Sequence, residues 1–261
     1  MSCFEIPLHE RLTQPRPARL PSSRLSGDYG PETASSEIEL LHAETERWSA
    51  EQVLEWGFDQ FSPNIAIASG FGAEGMALID LASRVRSGFR VFTLDTGFFF
   101  PETYELIEKV EHRYRIQVER CRPALTPVGQ SRSHGEALWA RDPDRCCKLR
   151  KVEPLKRKLS ELTAWVAAVR RDQTAARAGT PKIEWDRRFE LVKLNPLADW
   201  TSDRVWDYIR ANHVPYNPLH DLSYPSIGCT HCTRPVRIGE NPRAGRWAGF
   251  EKTECGLHTT D

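Results

Sequence analysis

The chain reads as an α/β protein: a mostly parallel sheet with helices on both faces, flanked by an N-terminal arm and a C-terminal tail. Three observations predict this. Short apolar runs alternate with helical patterns between Asn64 and Ala211, and parallel strands require such crossover helices. Glycine-bearing turns close the first two runs, at Gly70–Gly72 and at Gly97. A length of 261 residues with 39% hydrophobic content is enough for one large domain with appendages.

Met1 to about Ser36 holds Pro7, Pro15, Pro17, Pro21 and Pro31 with no hydrophobic periodicity, so residues 1–36 read as a flexible arm. Helical patterning runs from Glu37 to Phe61, where Ser49 and Gln52 form a capping box ahead of Val53, Leu54 and Trp56. Asn64–Ser69 is the first strand, followed by a helix of Met76, Leu78, Ile79 and Leu81. Arg90–Leu94 is the second, with a turn at Thr96-Gly97 and a helix opening near Pro101. Ile116–Cys121 is the third. After an irregular stretch, Val152–Leu162 reads as helix, Ala164–Val169 as the fourth strand, Phe189–Leu194 as the fifth and Thr201–Ala211 as helix. Beyond Asn212 the chain is rich in Pro and Gly with no long element. Residues 37–240 therefore form the α/β domain and 241–261 a tail.

Basic and acidic residues balance at 36 each, so no global field draws the chain to nucleic acid or to a membrane surface. Its apolar runs are too short to span a bilayer, and early prolines break any signal-peptide pattern. A cytoplasmic home follows. Seven cysteines, an odd number, argue against a purely disulfide-paired framework, and in a reducing compartment close cysteines more often bind metal or do redox chemistry.

Ser69-Gly70-Phe71-Gly72 lies between the first strand and its helix. Backbone N–H groups there, with the helix N-terminus, suit a phosphate; the plain alternative is a tight turn using glycine for φ > 0. The segment is neither a Walker loop nor a dinucleotide fingerprint. The loop after Leu94 faces the same crevice, because ligands of open α/β sheets gather at the carboxyl ends of strands. Arg170 and Arg171 end the fourth strand at that edge, where guanidinium groups suit a phosphate or sulfate.

Cys229-Thr230-His231-Cys232 is a C-x-x-C knuckle, and Cys146-Cys147 is a tandem pair that fits poorly as a disulfide with itself. Four thiolates in two groups suit tetrahedral zinc or an iron–sulfur cluster, and adjacent ligands tilt the choice toward the cluster. A redox C-x-x-C or inert buried cysteines are the alternatives, though a redox dithiol leaves the tandem pair unexplained. The basic run Lys148, Arg150, Lys151 offsets the charge of such a centre or steers an anion. Cys255, in Glu254-Cys255-Gly256-Leu257-His258, has features of a nucleophile: Lys252 and His258 favour thiolate, Arg243 and Arg246 can clamp an anion, and a tail can swing. Glu254 works the other way, and an exposed, incidental tail cysteine is the plain alternative. Cys3 and Cys121 carry no such signal.

Together these segments resemble assimilatory adenylyl-sulfate (APS) reductases. The resemblance rests on Ser69 to Glu74, Asp95-Thr96-Gly97, Cys146-Cys147, Arg170 to Gln173, Asn195-Pro196-Leu197-Ala198-Asp199-Trp200, Cys229-x-x-Cys232 and Glu254 to His258, spanning nearly the whole chain past the arm. It implies an adenine nucleotide α-hydrolase-like fold and a [4Fe–4S] cluster on Cys146, Cys147, Cys229 and Cys232. Cys255 would attack the sulfur of APS, AMP would leave, and thioredoxin or glutaredoxin would release sulfite by thiol exchange. Ser69, Gly70, Phe71 and Gly72 would receive the phosphosulfate, with Lys151, Arg170, Arg171, Arg243, Arg246 and His258 as its cations, and the backbone near Leu94 would take adenine. Relatives that use 3′-phosphoadenylyl sulfate (PAPS) share the fold and the terminal cysteine but typically lack the cluster ligands. Gly70, Gly75 and Phe98-Phe99-Phe100 depart from the usual pattern of the resembled family. A homo-oligomer is compatible with the sequence. A PAPS reductase, or a zinc-stapled nucleotide-binding module without turnover, remains the alternative.

Overall fold

The computed structural model describes residues 31–252 and 254–257. Helix α1 (Pro31–Thr45) already begins inside the stretch expected to be arm. Helix α2 (Ala50–Phe61) starts on the expected capping box: Gln52 N–H donates to Ser49 Oγ at 3.2 Å, and Ser49 N–H to Gln52 Oε1 at 2.8 Å. Such a cap stabilises a helix start by about 1 kcal/mol.

The centre of the molecule is a six-stranded sheet in the order β3-β2-β1-β4-β6-β5. Strands β1 (Ile65–Ala68), β2 (Val91–Leu94), β3 (Val118–Cys121), β4 (Ala164–Ala167) and β6 (Leu191–Leu194) run parallel, as the alternation with helices requires. Strand β5 (Ile183–Asp186) was not anticipated; it adds antiparallel to β6 as an edge. Its signal is present in the alternation of Ile183 and Trp185 with Glu184 and Asp186, a two-residue period that suits an edge strand. The chain leaves β1 toward β2 and β3, then returns to β4 on the other side of β1. Between β1 and β4 the order reverses, and a crevice opens there at the carboxyl ends.

Alternate residues of each strand feed opposite cores. Ile65, Ile67, Val91 and Val166 face α2, α3 (Ala73–Val85), α4 (Pro101–Tyr114) and α9 (Ser202–Ala211). On the other face Ala66, Phe92, Trp165 and Ala167 meet α8 (Glu153–Leu159) through Leu155 and Leu159. That second core uses alanines in β1 and β4, and the shallow floor they make leaves room for a ligand.

The stretch expected to be irregular, between β3 and β4, holds α5 (Pro127–His134), α6 (Leu138–Arg141) and α7 (Pro143–Cys147). A π-helical turn, Lys148–Val152, then joins α7 to α8, so the helix expected over Val152–Leu162 begins wide and ends at Leu159. From Asn212 onward the described residues form only 3₁₀ turns and an isolated bridge between Thr233 and Arg246.

Candidate active site and thiol nest

The first loop departs from the expected glycine turn. Neither Gly70 nor Gly72 takes positive φ; Phe71 does, at 58°, a conformation that costs a non-glycine residue about 1–2 kcal/mol. It is held there by complete burial of its ring and by its N–H donating to Ser69 Oγ at 3.1 Å. Gly75 makes this possible, since a Cβ there would lie 2.6 Å from that hydroxyl oxygen. Gly70 faces open space, so backbone is what it offers to the crevice.

Ser69, Gly70, Leu94, Lys151, Arg246 and Cys255 line one cavity at the switch point between β1 and β4, floored by Ala68 and Trp165. Of the other residues expected at the substrate, Phe71, Gly72, Arg170, Arg171 and Arg243 do not line this cavity. Phe71 is in the core and Gly72 caps α3. Arg170 is 6% exposed and donates to Glu74 at 3.0 and 3.1 Å, with a further bond to Asp172. Arg171 donates to Glu46 at 2.6 Å and to the Thr180 carbonyl at 2.8 Å. Carboxylates thus already neutralise both of these arginines. Arg243 reaches Glu254, at 3.4 Å. Arg246 donates to Ser226 Oγ at 3.1 Å while its Nε, facing no acceptor, is buried, an arrangement that favours an incoming anion. His258 lies outside the described residues.

Cys146 and Cys147 end α7, and Cys229 and Cys232 flank the 3₁₀ turn Thr230–Cys232. All of these thiols wall a second, nearly closed cavity with Phe98, Trp139 and His231. The knuckle is tied to the loop after β2 by Thr230 N–H donating to the Phe98 carbonyl at 2.9 Å. Trp139 stacks on His231 at 4.0 Å, and Phe98 meets both rings edge-on, so the nest is roofed by aromatics. Thr96 Oγ1 lies 3.3 Å from Cys229 Sγ, and Gln130 Nε2 donates to Cys146 Sγ at 3.8 Å.

Electrostatics set this nest apart from ordinary buried cysteines. Burial pushes the Cys146 and Cys147 thiols up, and Cys232 up to about 11. Buried thiols of this kind are inert unless a metal takes the place of the proton. Beside them Arg150 is only 2% exposed, yet its acceptors are neutral: the Thr96 carbonyl at 2.7 Å, the Leu125 carbonyl at 3.1 Å and Gln130 Oε1 at 3.3 Å. Burial lowers its pKa, with the Cys146 and Cys229 sulfurs working the other way. The Asp95 carboxylate also acts on it, but only at a distance and without a hydrogen bond, so the cation has room for a further anion beside it. Among the described residues no group of three or more His, Cys, Asp or Glu side chains is drawn together tightly enough for a metal ion. Four thiols beside a buried guanidinium are a donor set that suits a thiolate-ligated centre, zinc or iron–sulfur.

Lys151 and Cys229 line both cavities and form the wall between them. The wide turn of the π helix, a feature common at functional sites, carries Lys151 to that wall. Burial works against its charge, but the Cys229, Cys255 and Cys147 sulfurs outweigh it and hold the ammonium above the ordinary lysine value. Gln130, Thr174 and Arg177 also serve this region, and sequence reading missed them. Their partners are remote along the chain; Arg177 meets Glu254 across 77 positions, so no local pattern announces the contact.

A family model described as the phosphoadenosine phosphosulfate reductase domain matches residues 64–235. The chain is 50% identical over 222 residues to the adenosine 5'-phosphosulfate reductase of Halalkalibacterium halodurans, covering 85% of this chain and 96% of that relative. It is 49% identical over 207 residues to adenosine 5'-phosphosulfate reductase 2 of Bacillus subtilis, covering 79% and 88%. Among solved structures, phosphoadenylyl-sulfate reductase from Candida auris, a phosphate complex, superposes with a TM-score of 0.67 at 31% identity, over 77% of this chain and 97% of that one. Yeast FAD synthetase shares the fold alone, with a TM-score of 0.54 at 16% identity, over 82% and 72%.

Proposed function

The chain belongs to the phosphoadenosine phosphosulfate reductase family, with the mostly parallel, adenine nucleotide α-hydrolase-like sheet expected from its sequence, and on that premise we propose that it reduces adenylyl sulfate to sulfite and AMP in sulfate assimilation. The observation that carries the reading is Cys255 lining the same cavity as Ser69, Gly70, Lys151 and Arg246. A nucleophile, an anion loop and two cations meet there at the switch point of the sheet. APS is favoured over PAPS by the names of the relatives and by the four-thiol nest.

The chemistry divides between the tail and the wall. The Cys255 thiolate attacks the sulfur of APS; an S–S bond forms, the bond from sulfur to the phosphate oxygen breaks, and AMP leaves as the anion. Lys151 and Arg246 hold the charge that grows on the oxygens of the transferring group, while Ser69 and the Gly70 backbone steady the phosphate. Cys255 then carries an S-sulfonate. A dithiol protein such as thioredoxin or glutaredoxin attacks Cys255 Sγ, sulfite departs with the electron pair, and the second thiol of the reductant closes its own disulfide, returning Cys255 as thiol. Cys146, Cys147, Cys229 and Cys232 are the residues that would hold a [4Fe–4S] cluster, with Arg150 as the buried countercharge. When bound, it would supply a fixed, polarisable charge behind Lys151. The tail, 241–261, works as a separate arm in this scheme. No helix among the described residues is long and apolar enough to cross a membrane, and free buried thiols fit the reducing cytoplasm.

The test is a two-stage reaction on anaerobically purified protein. With APS and no reductant, intact-mass analysis should show one sulfonate on Cys255, and added thioredoxin should release sulfite. Cys255→Ser should lose both while keeping iron and labile sulfide. Turnover retained in that variant would refute the mechanism, and faster sulfonation by PAPS than by APS would move the enzyme to the other branch.

A further inference from the structure

Glu254, the residue before the nucleophile, is anchored more firmly than any tail residue need be. Its side chain is 11% exposed, and Arg177, itself 9% exposed, grips the carboxylate with two prongs. Arg177 Nε donates to Oε1 at 3.0 Å and Nη2 to Oε2 at 2.7 Å. Thr174 Oγ1 adds a bond to Oε1 at 3.2 Å.

The root of this anchor lies in the α/β domain. Arg177 belongs to a 3₁₀ turn beyond β4, Ala175–Arg177, and its remaining prong donates to Gln173 Oε1. Gln173 Nε2 in turn donates to Glu74 at 3.1 Å, in the first turn of α3. On the other side of Cys255, the Gly256 carbonyl accepts from Arg188, and Leu257 packs against the second core. The reactive residue is thus pinned immediately before and after, where it lines the cavity. A bidentate, nearly buried carboxylate clamp is worth more than a surface ion pair, because it fixes geometry as well as charge.

The same seat obstructs the second half of the reaction. A dithiol protein must reach Cys255 Sγ in line with the S–S bond, and a partly buried residue lining a cavity between two anchored neighbours gives a whole protein little room to do so. We infer that the Arg177–Glu254 clamp is the positioning device of this enzyme: closed, it seats Cys255 for attack, and its opening frees the sulfonated tail for the reductant. This inference rests on the proposed function and names Glu254 as a positioning residue.

Cys255 alkylation by iodoacetamide, followed by peptide mass mapping without nucleotide, reads the seat directly. Glu254→Ala should raise that rate about tenfold or more, and in single turnover should slow S-sulfonation by roughly tenfold to a hundredfold, the scale of a nucleophile misplaced by about 1 Å. Release of sulfite from pre-sulfonated protein by thioredoxin should be as fast or faster. Arg177→Ala should act in the same direction but less strongly, since Thr174 and Arg243 still hold Glu254, and the double variant should be no worse than Glu254→Ala. A Glu254 variant with wild-type alkylation and sulfonation rates would overturn the seat, and slowed release would overturn the opening step. Glu254 lies on the tail, so its loss does not threaten the sheet. If even the wild-type protein takes no sulfonate from APS, the proposed reaction falls, while the alkylation ratio still decides whether the clamp seats Cys255.

Discussion

The two walls of the active-site cavity are made in different ways. The wall formed by the loops after β1 and β2 springs directly from the ends of two sheet strands. Ser69 N–H donates to the Phe92 carbonyl at 3.0 Å, and Asp95, 4% exposed, accepts from Gly97 N–H at 3.0 Å and from Tyr104 Oη at 2.8 Å. The wall formed by residues 226–257 has no strand or α-helix among its described residues. It is fastened by short turns and one bridge, with side chains between them: the thiol nest, Arg246 on Ser226 and Glu254 in the grip of Arg177. The anion loop thus belongs to the sheet, while the wall opposite depends on scattered contacts. A wall that must later release its nucleophile cannot be part of a cooperative ladder of backbone bonds.

The largest way to break the contrast is to remove one thiol of the nest. With the proposed cluster, Cys229→Ala should lower the iron content of anaerobically purified protein and expose residues 212–257 to limited proteolysis, with the α/β portion still resistant; uniform digestion of both regions would refute the division. A smaller effect separates two glycines, one in each wall. A Cβ on Gly245 would lie 2.2 Å from the Arg234 carbonyl, a backbone atom that also brackets the bridge from Thr233 to Arg246. On Gly75 it would meet only the Ser69 hydroxyl, which can rotate. Gly245→Ala should therefore raise KM for APS roughly tenfold, through displaced Arg246, and Gly75→Ala by less; the reverse order would show that the sheet-edge wall is the fragile one.

The smallest expected effect is a pH dependence rooted in the second wall's approach. His220 is held with both ring nitrogens buried, the Tyr224 backbone being the polar group that favours its charge. Burial lowers its pKa from the usual 6.5, outweighing the Glu74 and Asp221 carboxylates. The folded state therefore resists a proton that the unfolded chain accepts. Stability should be level above pH 6.5 and fall as pH drops through that value, by at most about 1.4 kcal/mol per pH unit until His220 itself protonates. Thermal melts at pH 7.5 and 5.5, as rough bracketing conditions, should converge in His220→Gln; an unchanged gap would assign the effect to other groups.

Much of this molecule is local and therefore legible. The capping box at Ser49 needs only Gln52, the strands need only their apolar runs, and the positions of Cys146, Cys147, Cys229, Cys232 and Cys255 are stated by the chain itself. The edge strand Ile183–Asp186 was equally written in its alternation and overlooked. What tertiary structure alone decided is which charges stay available. Arg170 and Arg171 sit at the sheet edge as their place after β4 requires, yet Glu74 and Glu46, remote in sequence, take their guanidinium groups. Phe71, not a neighbouring glycine, takes the left-handed turn because the core buries its ring. Arg177 finds Glu254 only when the tail folds back. Periodicity and spacing constrain backbone over a few residues, so they determine elements and ligand sets. A charge or strained φ is settled by neighbours that arrive from anywhere in the chain, and only the fold brings them together.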